Sequence, residues 1–197
     1  MYVDDMILIG NDPKKIRTLR EYLFLEFNMK DLGQLRYFLG IEVARPEQEI
    51  SLSQHKYILD LRSEIEILAC KPIETPIQMN HRLGIFPYQV PIDMGRYQRL
   101  VGELIYLTHT RFDITYIIGI VSQFMHAPSG EHMDAVYMIL RYLEGAPNKY
   151  LLYSKNGVSN IKGYTTADWT GDQTPRRSMS GYLTFVEGNL ITWRSKK

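Results

Sequence analysis

The segment Tyr2–Gly10 reads YVDDMILIG and contains the pattern that most limits the fold and function of the chain. Two adjacent carboxylates, Asp4 and Asp5, stand between apolar residues that favour β-structure. The pattern therefore predicts a tight β-hairpin with the pair at or beside its turn. Such a turn suits Mg²⁺, which takes oxygen ligands and takes part in two-metal phosphoryl transfer. An ordinary hairpin turn is the alternative, because Asp is common in turns.

Length and composition limit the class of protein. The chain has 197 residues, 45% of them hydrophobic, and a chain of this size can bury roughly 70% of its unfolded surface in one or two domains. It lacks the run of about 18 apolar residues that a membrane span needs, and Asp4 and Asp5 stand where a secretory signal has positive charge. We expect a soluble intracellular protein, cytoplasmic or nuclear. The single Cys70 excludes an intrachain disulfide.

Positive charge is concentrated near the C-terminus. Residues 1–40 are neutral overall, residues 41–140 carry a net charge of −4, and residues 141–197 carry +5. A basic C-terminal third suits nucleic-acid phosphates, which proteins bind largely through Lys and Arg. A solvated surface of mixed sign is the alternative, and charge alone favours it.

A helix is predicted directly after the first segment. Asn11 or Asp12 can cap it, and Pro13 suits the first helical position. Apolar residues recur at helical spacing, at Ile16, Leu19, Leu23 and Phe27. We expect this helix to pack one apolar stripe on the sheet that carries Asp4.

The next segment has the pattern of a second β-hairpin. We expect strands at Tyr37–Val43 and Ile50–Ser53, joined by the polar connection Arg45–Glu49. Gly40 would allow close approach to the backbone at this point. On the pattern alone, Phe38 and Leu39 are core residues of this hairpin.

From residue 54 to residue 145 the apolar spacing is helical. A Pro-rich linker is expected over Lys71–Asp93. The expected helices are His55–Leu68, Met94–Thr108, Asp113–His126 and Gly130–Leu143. The third has an apolar face too broad for a surface helix, so we expect it at the centre of a small bundle.

After Gly145 the apolar period changes to two, which indicates strands. The expected strands are Tyr150–Tyr153, Ile161–Trp169, Gly181–Val186 and Leu190–Trp193. Turns are expected at Asn156-Gly157 and Gly188-Asn189. We interpret this region as the start of a separate α/β unit.

Histidine and cysteine provide no metal site in this sequence. His109, His126 and His132 have no i, i+4 spacing and no neighbouring Cys, so they are interpreted as surface or packing residues. Cys70 is interpreted as a small buried hydrophobe, because no activating base stands near it in sequence.

Short motifs in a fixed order connect these regions. After YVDD they are LRYFLGIE (35–42), LSQ (52–54), CKP (70–72), TP (75–76), YQRLVG (97–102), SQFM (122–125), ILRYL (139–143), ADW (167–169), SGY (180–182) and WRSKK (193–197). In this order and spacing, across essentially all 197 residues, the chain resembles the reverse transcriptase and RNase H region of copia-type (Pseudoviridae-like) LTR retrotransposon Pol polyproteins.

The resemblance implies an α+β fold in three incomplete units. Residues 1–53 would be a reverse transcriptase palm remnant, residues 54–147 a helical thumb and connection, and residues 148–197 the truncated opening β-meander of an RNase H-like domain. The parent activity would be RNA-directed DNA polymerase with RNase H. Its partners would be an RNA template and the RNA–DNA hybrid, with no membrane association.

The resemblance also assigns site residues. Asp4 would be a Mg²⁺ ligand, and Asp5 its neighbour or an auxiliary ligand. Phe38, Leu39 and Gly40 would lie in a primer-grip-like region that supports the primer 3′ end.

For RNase H, the family's first carboxylate stands on the opening strand, at the position that is Thr166 here. Asp168 lies two residues further on, and strand alternation should put it on the same face. Two residues span about 6–7 Å along a strand, more than a metal site tolerates. We therefore interpret Asp168 as a structural residue or one that supports the metal ligands.

Met1 stands directly before Tyr2, so the fingers and the family's first metal-ligating Asp are expected to be missing upstream. We expect this polypeptide to be inactive alone as a polymerase and as an RNase H. The alternative function is a non-catalytic retroelement remnant with at most weak nucleic-acid binding.

Overall fold

The computed structural model describes residues 6–27, 29–65, 71–77, 83–84, 92–157, 160–168 and 179–196. Helices and antiparallel strands share these ranges, which confirms the α+β class. The helices are α1 (Pro13–Phe27), α2 (His55–Ile65), α3 (Met94–Leu107), α4 (Thr115–Val121) and α5 (Gly130–Gly145). The strands are β1 (Tyr37–Phe38), β2 (Ile41–Ala44), β3 (Glu49–Ser53), β4 (Leu151–Ser154), β5 (Ile161–Asp168), β6 (Met179–Val186) and β7 (Asn189–Lys196).

The hydrophobic core lies among α2, α3, α4 and α5. On α3 the side chains at helical spacing are completely or almost completely buried: Tyr97, Leu100, Val101, Leu104 and Leu107. α4 adds its predicted apolar face, with Ile117, Ile118 and Val121 buried. The expectation that this segment is central to a small bundle is confirmed.

One predicted helix is shorter than expected. Within Asp113–His126 only α4 is α-helical, and 3₁₀ turns flank it at Phe112–Ile114 and Ser122–Phe124. The hydroxyl of Ser122 and the amide of Gln123 both donate to the Gly119 carbonyl, at 3.1 and 3.0 Å. These side-chain donors compete with the regular backbone pattern where the α-helix ends.

The first sheet has the order β1-β2-β3-β4 and is antiparallel throughout. The single strand predicted over Tyr37–Val43 is wrong, because a two-residue turn at Leu39–Gly40 divides it into β1 and β2. The β2–β3 hairpin is confirmed, with Val43 opposite Leu52.

The expected position of the fourth strand is also wrong. The sequence pattern predicts Tyr150–Tyr153 as part of the C-terminal unit, but β4 pairs with β3, placing Leu151 opposite Leu52. Leu151 is buried there. Pairing with β3 removes the Leu151 side chain from water, which favours this position of the strand.

The second sheet is a three-stranded antiparallel meander, β5-β6-β7. The turn between β6 and β7 is at Glu187–Gly188, one residue earlier than expected, because both residues take positive φ. The indole of Trp193 donates to the Thr108 carbonyl at 2.9 Å, and Ser154 exchanges backbone hydrogen bonds with the Asn189 side chain. These contacts hold the meander against α3 and β4.

The N-terminal expectations have mixed outcomes. Asp12 caps α1 as predicted, accepting from the Lys14 and Lys15 backbone amides at 3.0 and 3.2 Å. Residues 6–10 form no strand, however, since no described segment pairs with them. No α1 side chain is buried, and Leu19 and Phe27 are exposed, so the expected packing of this helix is not found among the described residues.

Other predictions lie partly outside the described ranges. α2 is described to Ile65, and Cys70 and residues 66–69 fall outside. The described parts of the Lys71–Asp93 linker contain no helix or strand, as expected. No helix in the described residues has the length and apolarity required to cross a membrane.

Candidate nucleic-acid interface

The predicted metal ligands Asp4 and Asp5 lie outside the described residues. Among the residues that are described, no three His, Cys, Asp or Glu side chains are grouped so that they could hold a metal ion. The described residues therefore give no geometry for Mg²⁺, and the predicted site that lies among them is the primer-grip-like turn.

Leu39 and Gly40 form a two-residue hairpin turn with φ values of 47° and 78°. Positive φ at both central residues is the type I′ arrangement, whose twist matches that of the flanking strands. Glycine tolerates this region, whereas leucine is strained in it. The Leu39 side chain is 63% exposed and Phe38 is half-buried, so the alternative that Leu39 is a core residue is wrong.

Two tyrosines on the helices, Tyr106 and Tyr57, pack against the turn. The Tyr106 hydroxyl, on α3, donates a hydrogen bond to the Leu39 carbonyl. A Cβ on Gly40 would lie 3.5 Å from the Tyr106 ring and 3.6 Å from the Tyr57 ring. These two rings meet edge to face at 5.4 Å, and His109 meets Tyr106 in the same way at 5.5 Å. The backbone of the turn is thus held against an aromatic cluster.

The helix that carries Tyr106 is itself firmly anchored. Asp93 caps the N-terminus of α3 by accepting from the Arg96 amide at 3.0 Å. Tyr97 is fully buried and donates to the Val121 carbonyl at 2.7 Å, and burial raises the pKa of its hydroxyl. Tyr106 therefore reaches the turn from a capped and well-packed helix of the bundle.

Glu42 joins the hairpin to the helix α2. Its carboxylate accepts from the Lys56 amide at 3.2 Å and from the Ser53 hydroxyl at 2.8 Å, which caps the first turn of α2. The Lys56 ammonium lies 6.0 Å from the centre of the exposed Tyr37 ring. An exposed aromatic ring with a nearby cation is typical of surfaces on which nucleotide bases stack and phosphates bind.

A second polar cluster serves the fold. Arg111 is 1% exposed and donates to both carboxylate oxygens of Asp113 at 2.9 Å, while the Tyr142 hydroxyl and the Lys149 ammonium also donate to Asp113, at 2.6 and 3.0 Å. Burial alone would raise the pKa of Asp113. The hydrogen bonds from Arg111 and Tyr142, the Arg111 charge and the Lys149 bond outweigh burial and hold that pKa well below its usual range.

The three histidines fit their predicted packing or surface roles. His132 is buried, stacks on Phe124 with ring centres 3.8 Å apart, and accepts from the Ser129 amide in a capping box for α5. Burial lowers the pKa of His132, although a hydrogen bond with the Gly84 backbone opposes the shift. His126 is exposed.

The RNase H-like positions lie on one strand. Thr166 pairs with Gly181 and Asp168 pairs with Met179, both within β5, so positions 166 and 168 share a face as expected. The Thr166 side chain lies beside Gly181, where an added Cβ would come within 3.4 Å of it. The Asp168 side chain is outside the described residues.

Sequence comparison identifies the family. Residues 1–79 match the family described as Reverse transcriptase (RNA-dependent DNA polymerase). The whole chain is 39% identical to the Retrovirus-related Pol polyprotein from transposon RE1 of Arabidopsis thaliana. It is also 37% identical to an uncharacterized mitochondrial protein of the same plant and covers 82% of that protein. The chain belongs to the reverse transcriptase family of copia-type transposon Pol polyproteins.

The reverse transcriptase relatives are much longer than this chain. It spans 13% of the RE1 polyprotein and 15% of the Retrovirus-related Pol polyprotein from transposon TNT 1-94 of Nicotiana tabacum, to which it is 36% identical. No solved structure matches the chain significantly. The predicted family is confirmed.

The sequence did not reveal every residue that builds this site. Leu39 and Gly40 were predicted through the family resemblance, but Tyr106, Tyr57 and Glu42 were not. The tyrosines stand on helices whose contact with the turn spans distant parts of the chain. Glu42 could have been noticed in the sequence, because a carboxylate close to the start of a helix can cap that helix.

Proposed function

We propose that this chain is a segment of a retrotransposon RNA-directed DNA polymerase and that it supports the primer strand of an RNA–DNA hybrid. The observation that carries the proposal is the Leu39–Gly40 turn, which exposes the Leu39 side chain and whose Leu39 carbonyl accepts a hydrogen bond from Tyr106 on α3. A turn fixed in this way presents a constant backbone surface to a nucleic-acid strand. Tyr37 and Lys56 beside it supply a ring for stacking and a cation for phosphate.

Asp4 and Asp5 are the proposed Mg²⁺ ligands of this polymerase. They stand in the YVDD segment, within the residues that match the reverse transcriptase family. When bound, Mg²⁺ would supply the charge stabilisation that phosphoryl transfer requires. We propose that the chain alone does not extend a primer, because it spans a small share of the polyproteins to which it is related.

The domain division is also part of the proposal. Residues 1–53 would contribute to the palm, residues 54–147 to the thumb and connection, and the meander of β5, β6 and β7 to an RNase H-like domain. Support for the last assignment comes from the strand order and from the motifs ADW (167–169) and SGY (180–182), whereas Thr166 at the position of the family's first carboxylate is a departure from the family. To test this, a C-terminal segment from a family member is added to the chain. With that segment, Thr166→Asp should cleave the RNA of an RNA–DNA hybrid, whereas the same protein with Thr166 should not.

A second candidate function is a non-catalytic retroelement remnant that binds nucleic acid weakly. The observation behind it is that this chain covers 82% of the mitochondrial relative, so the family includes a protein of similar length. The two candidates differ in whether the nucleic acid is held at the Leu39–Gly40 turn or only by the basic C-terminal third.

Fluorescence anisotropy with a labelled RNA–DNA primer–template tests the proposal. We expect binding that is insensitive to sequence and weakens as salt rises, because phosphate contacts release counterions. A parallel primer-extension assay with Mg²⁺ should give no product. The absence of any binding at low salt would contradict primer support, and extension that disappears in Asp4→Ala would contradict the proposed inactivity.

A further inference from the structure

We infer that Tyr106 is a positioning residue for the primer terminus, acting through the Leu39–Gly40 turn. The inference rests on the proposed function, since it assigns the group that fixes the primer-supporting turn. Tyr106 itself need not touch nucleic acid. Its hydroxyl sets the direction of the Leu39 carbonyl, and thereby the direction of the turn.

The first argument is the conformation that the hydroxyl holds in place. Leu39 has a φ of 47°, which a residue with a Cβ adopts at a cost of roughly 1–2 kcal/mol. β1 contains two residues, so the β1–β2 ladder offers little to offset that strain. A hydrogen bond to the carbonyl of the strained residue itself is placed to stabilise this conformation over its alternatives.

The second argument is the different burial of the surroundings of the two partners. Leu39 lies at an exposed turn, whereas Tyr106 stands on α3 between the buried residues Leu104 and Leu107. The Tyr106 ring is also contacted edge to face by Tyr57 on α2 and by His109 in the turn after α3. We therefore infer that the bundle fixes the position of the turn through the Tyr106 hydroxyl, and that the turn does not fix the position of the bundle.

The third argument is that the contact joins two regions with different proposed roles. Tyr106 belongs to the helical region proposed as thumb and connection, and Leu39 to the region proposed as palm. A shift of α3 relative to the β1–β2 hairpin would break this hydrogen bond, because its donor is a single atom at the end of the Tyr106 side chain. Tyr106 thus couples the placement of the primer terminus to the placement of the helical bundle.

The test compares Tyr106→Phe with a matched control, Tyr182→Phe. Both variants remove one hydroxyl and keep the ring, but Tyr182 is an exposed residue on the second sheet. Each purified variant is examined for three properties: its thermal midpoint, the amide hydrogen exchange of residues 37–44, and its affinity for a primer–template with 2-aminopurine at the primer 3′ end. The fluorescence of 2-aminopurine reports on the terminus itself.

If the inference is correct, Tyr106→Phe exchanges faster at residues 37–44 and binds the primer–template about two- to tenfold more weakly, which corresponds to the loss of one neutral hydrogen bond. The 2-aminopurine signal in the complex also changes, while Tyr182→Phe matches the wild type in all three measurements.

The contrary outcomes are distinguishable. Equal affinity and equal 2-aminopurine signal for the two variants would overturn the inference and leave the proposed function intact. A lowered thermal midpoint of Tyr106→Phe with an unchanged 2-aminopurine signal would show that Tyr106 has only a structural role, and this too would overturn the inference. No binding by the wild type would overturn the proposed function, and the inference with it.

Discussion

At the scale of single residues, the buried guanidinium of Arg111 explains why Asp113 is needed. A charge that is 1% exposed requires a partner, and Asp113 supplies two hydrogen-bond acceptors at 2.9 Å while Ala146 supplies a third through its carbonyl. Tyr142 and Lys149 complete the cluster around the same carboxylate. The cluster attaches the end of α5 to the 3₁₀ turn that precedes α4.

Asp113→Ala should therefore lower the free energy of unfolding by about 3–5 kcal/mol, because it leaves a buried charge without its partner. Urea denaturation followed by circular dichroism measures this loss. Arg20→Ala is the matched control, since it removes one member of an exposed Arg–Asp pair with a 2.7 Å contact, and such pairs contribute about 0–1 kcal/mol. Equal losses in the two variants would show that Arg111 is satisfied without Asp113.

The same carboxylate predicts a pH dependence. The folded protein holds the pKa of Asp113 below that of the unfolded chain, which is about 3.9. A depressed folded pKa gives stability that is present above about pH 4 and is lost as the pH falls below that value. We expect the wild type to lose more stability than Asp113→Asn between pH 5 and pH 2. Parallel losses would show that other groups cause the acid sensitivity.

Variants at Gly40 and Gly33 distinguish the effect of backbone strain from the effect of moving the Leu39–Gly40 turn. Their φ values are 78° and 77°, but a Cβ on Gly40 would contact Tyr106 and Tyr57 whereas a Cβ on Gly33 would meet nothing within 4 Å. Alanine at either position is strained by roughly 1–2 kcal/mol. We expect only Gly40→Ala to weaken primer–template binding in anisotropy titrations. At Gly40 the turn can relieve the strain by moving the Leu39 carbonyl away from Tyr106, whereas Gly33 makes no such contact. Equal weakening by Gly33→Ala would argue against the turn as the contact.

At the scale of elements, local signals decided which predictions held. α1 and α3 begin where Asp12 and Asp93 can cap them, and both capping hydrogen bonds are present. These signals act over three or four residues, so the sequence displays them directly. The turn between β1 and β2 was missed because Leu39, a residue that rarely takes positive φ, occupies half of it. An apolar run through that position looked like one continuous strand.

α2 begins with a cap that comes from another element. Glu42 on β2 accepts from the Lys56 amide and the Ser53 hydroxyl, so Glu42→Ala should destabilise the protein by about 1 kcal/mol through loss of the cap. Urea denaturation measures the change, and Glu47→Ala in the exposed β2–β3 turn is the control. A loss no larger than that of the control would mean that water replaces the carboxylate at the start of α2.

At the scale of the whole molecule, pairing between distant segments was the part that the sequence could not supply. The period of two around Leu151 indicated a strand but not its partner, and the structure pairs it with Leu52. The bundle was predictable because α3, α4 and α5 carry broad apolar faces whose burial requires one another. For the site, the family resemblance indicated Leu39 and Gly40, while Tyr106 became apparent only through the packing of α3 against the turn.

The central claim is that nucleic acid is held at the Leu39–Gly40 turn, and photocrosslinking from the primer tests it most directly. A primer with a photoreactive thio-nucleotide at its 3′ end is annealed to an RNA template, irradiated with the chain at low salt, and the crosslinked peptides are identified by mass spectrometry. The account predicts crosslinks from the 3′ terminus to residues 37–41. Crosslinks confined to the basic region 141–197 would contradict it, since they would show binding by charge alone.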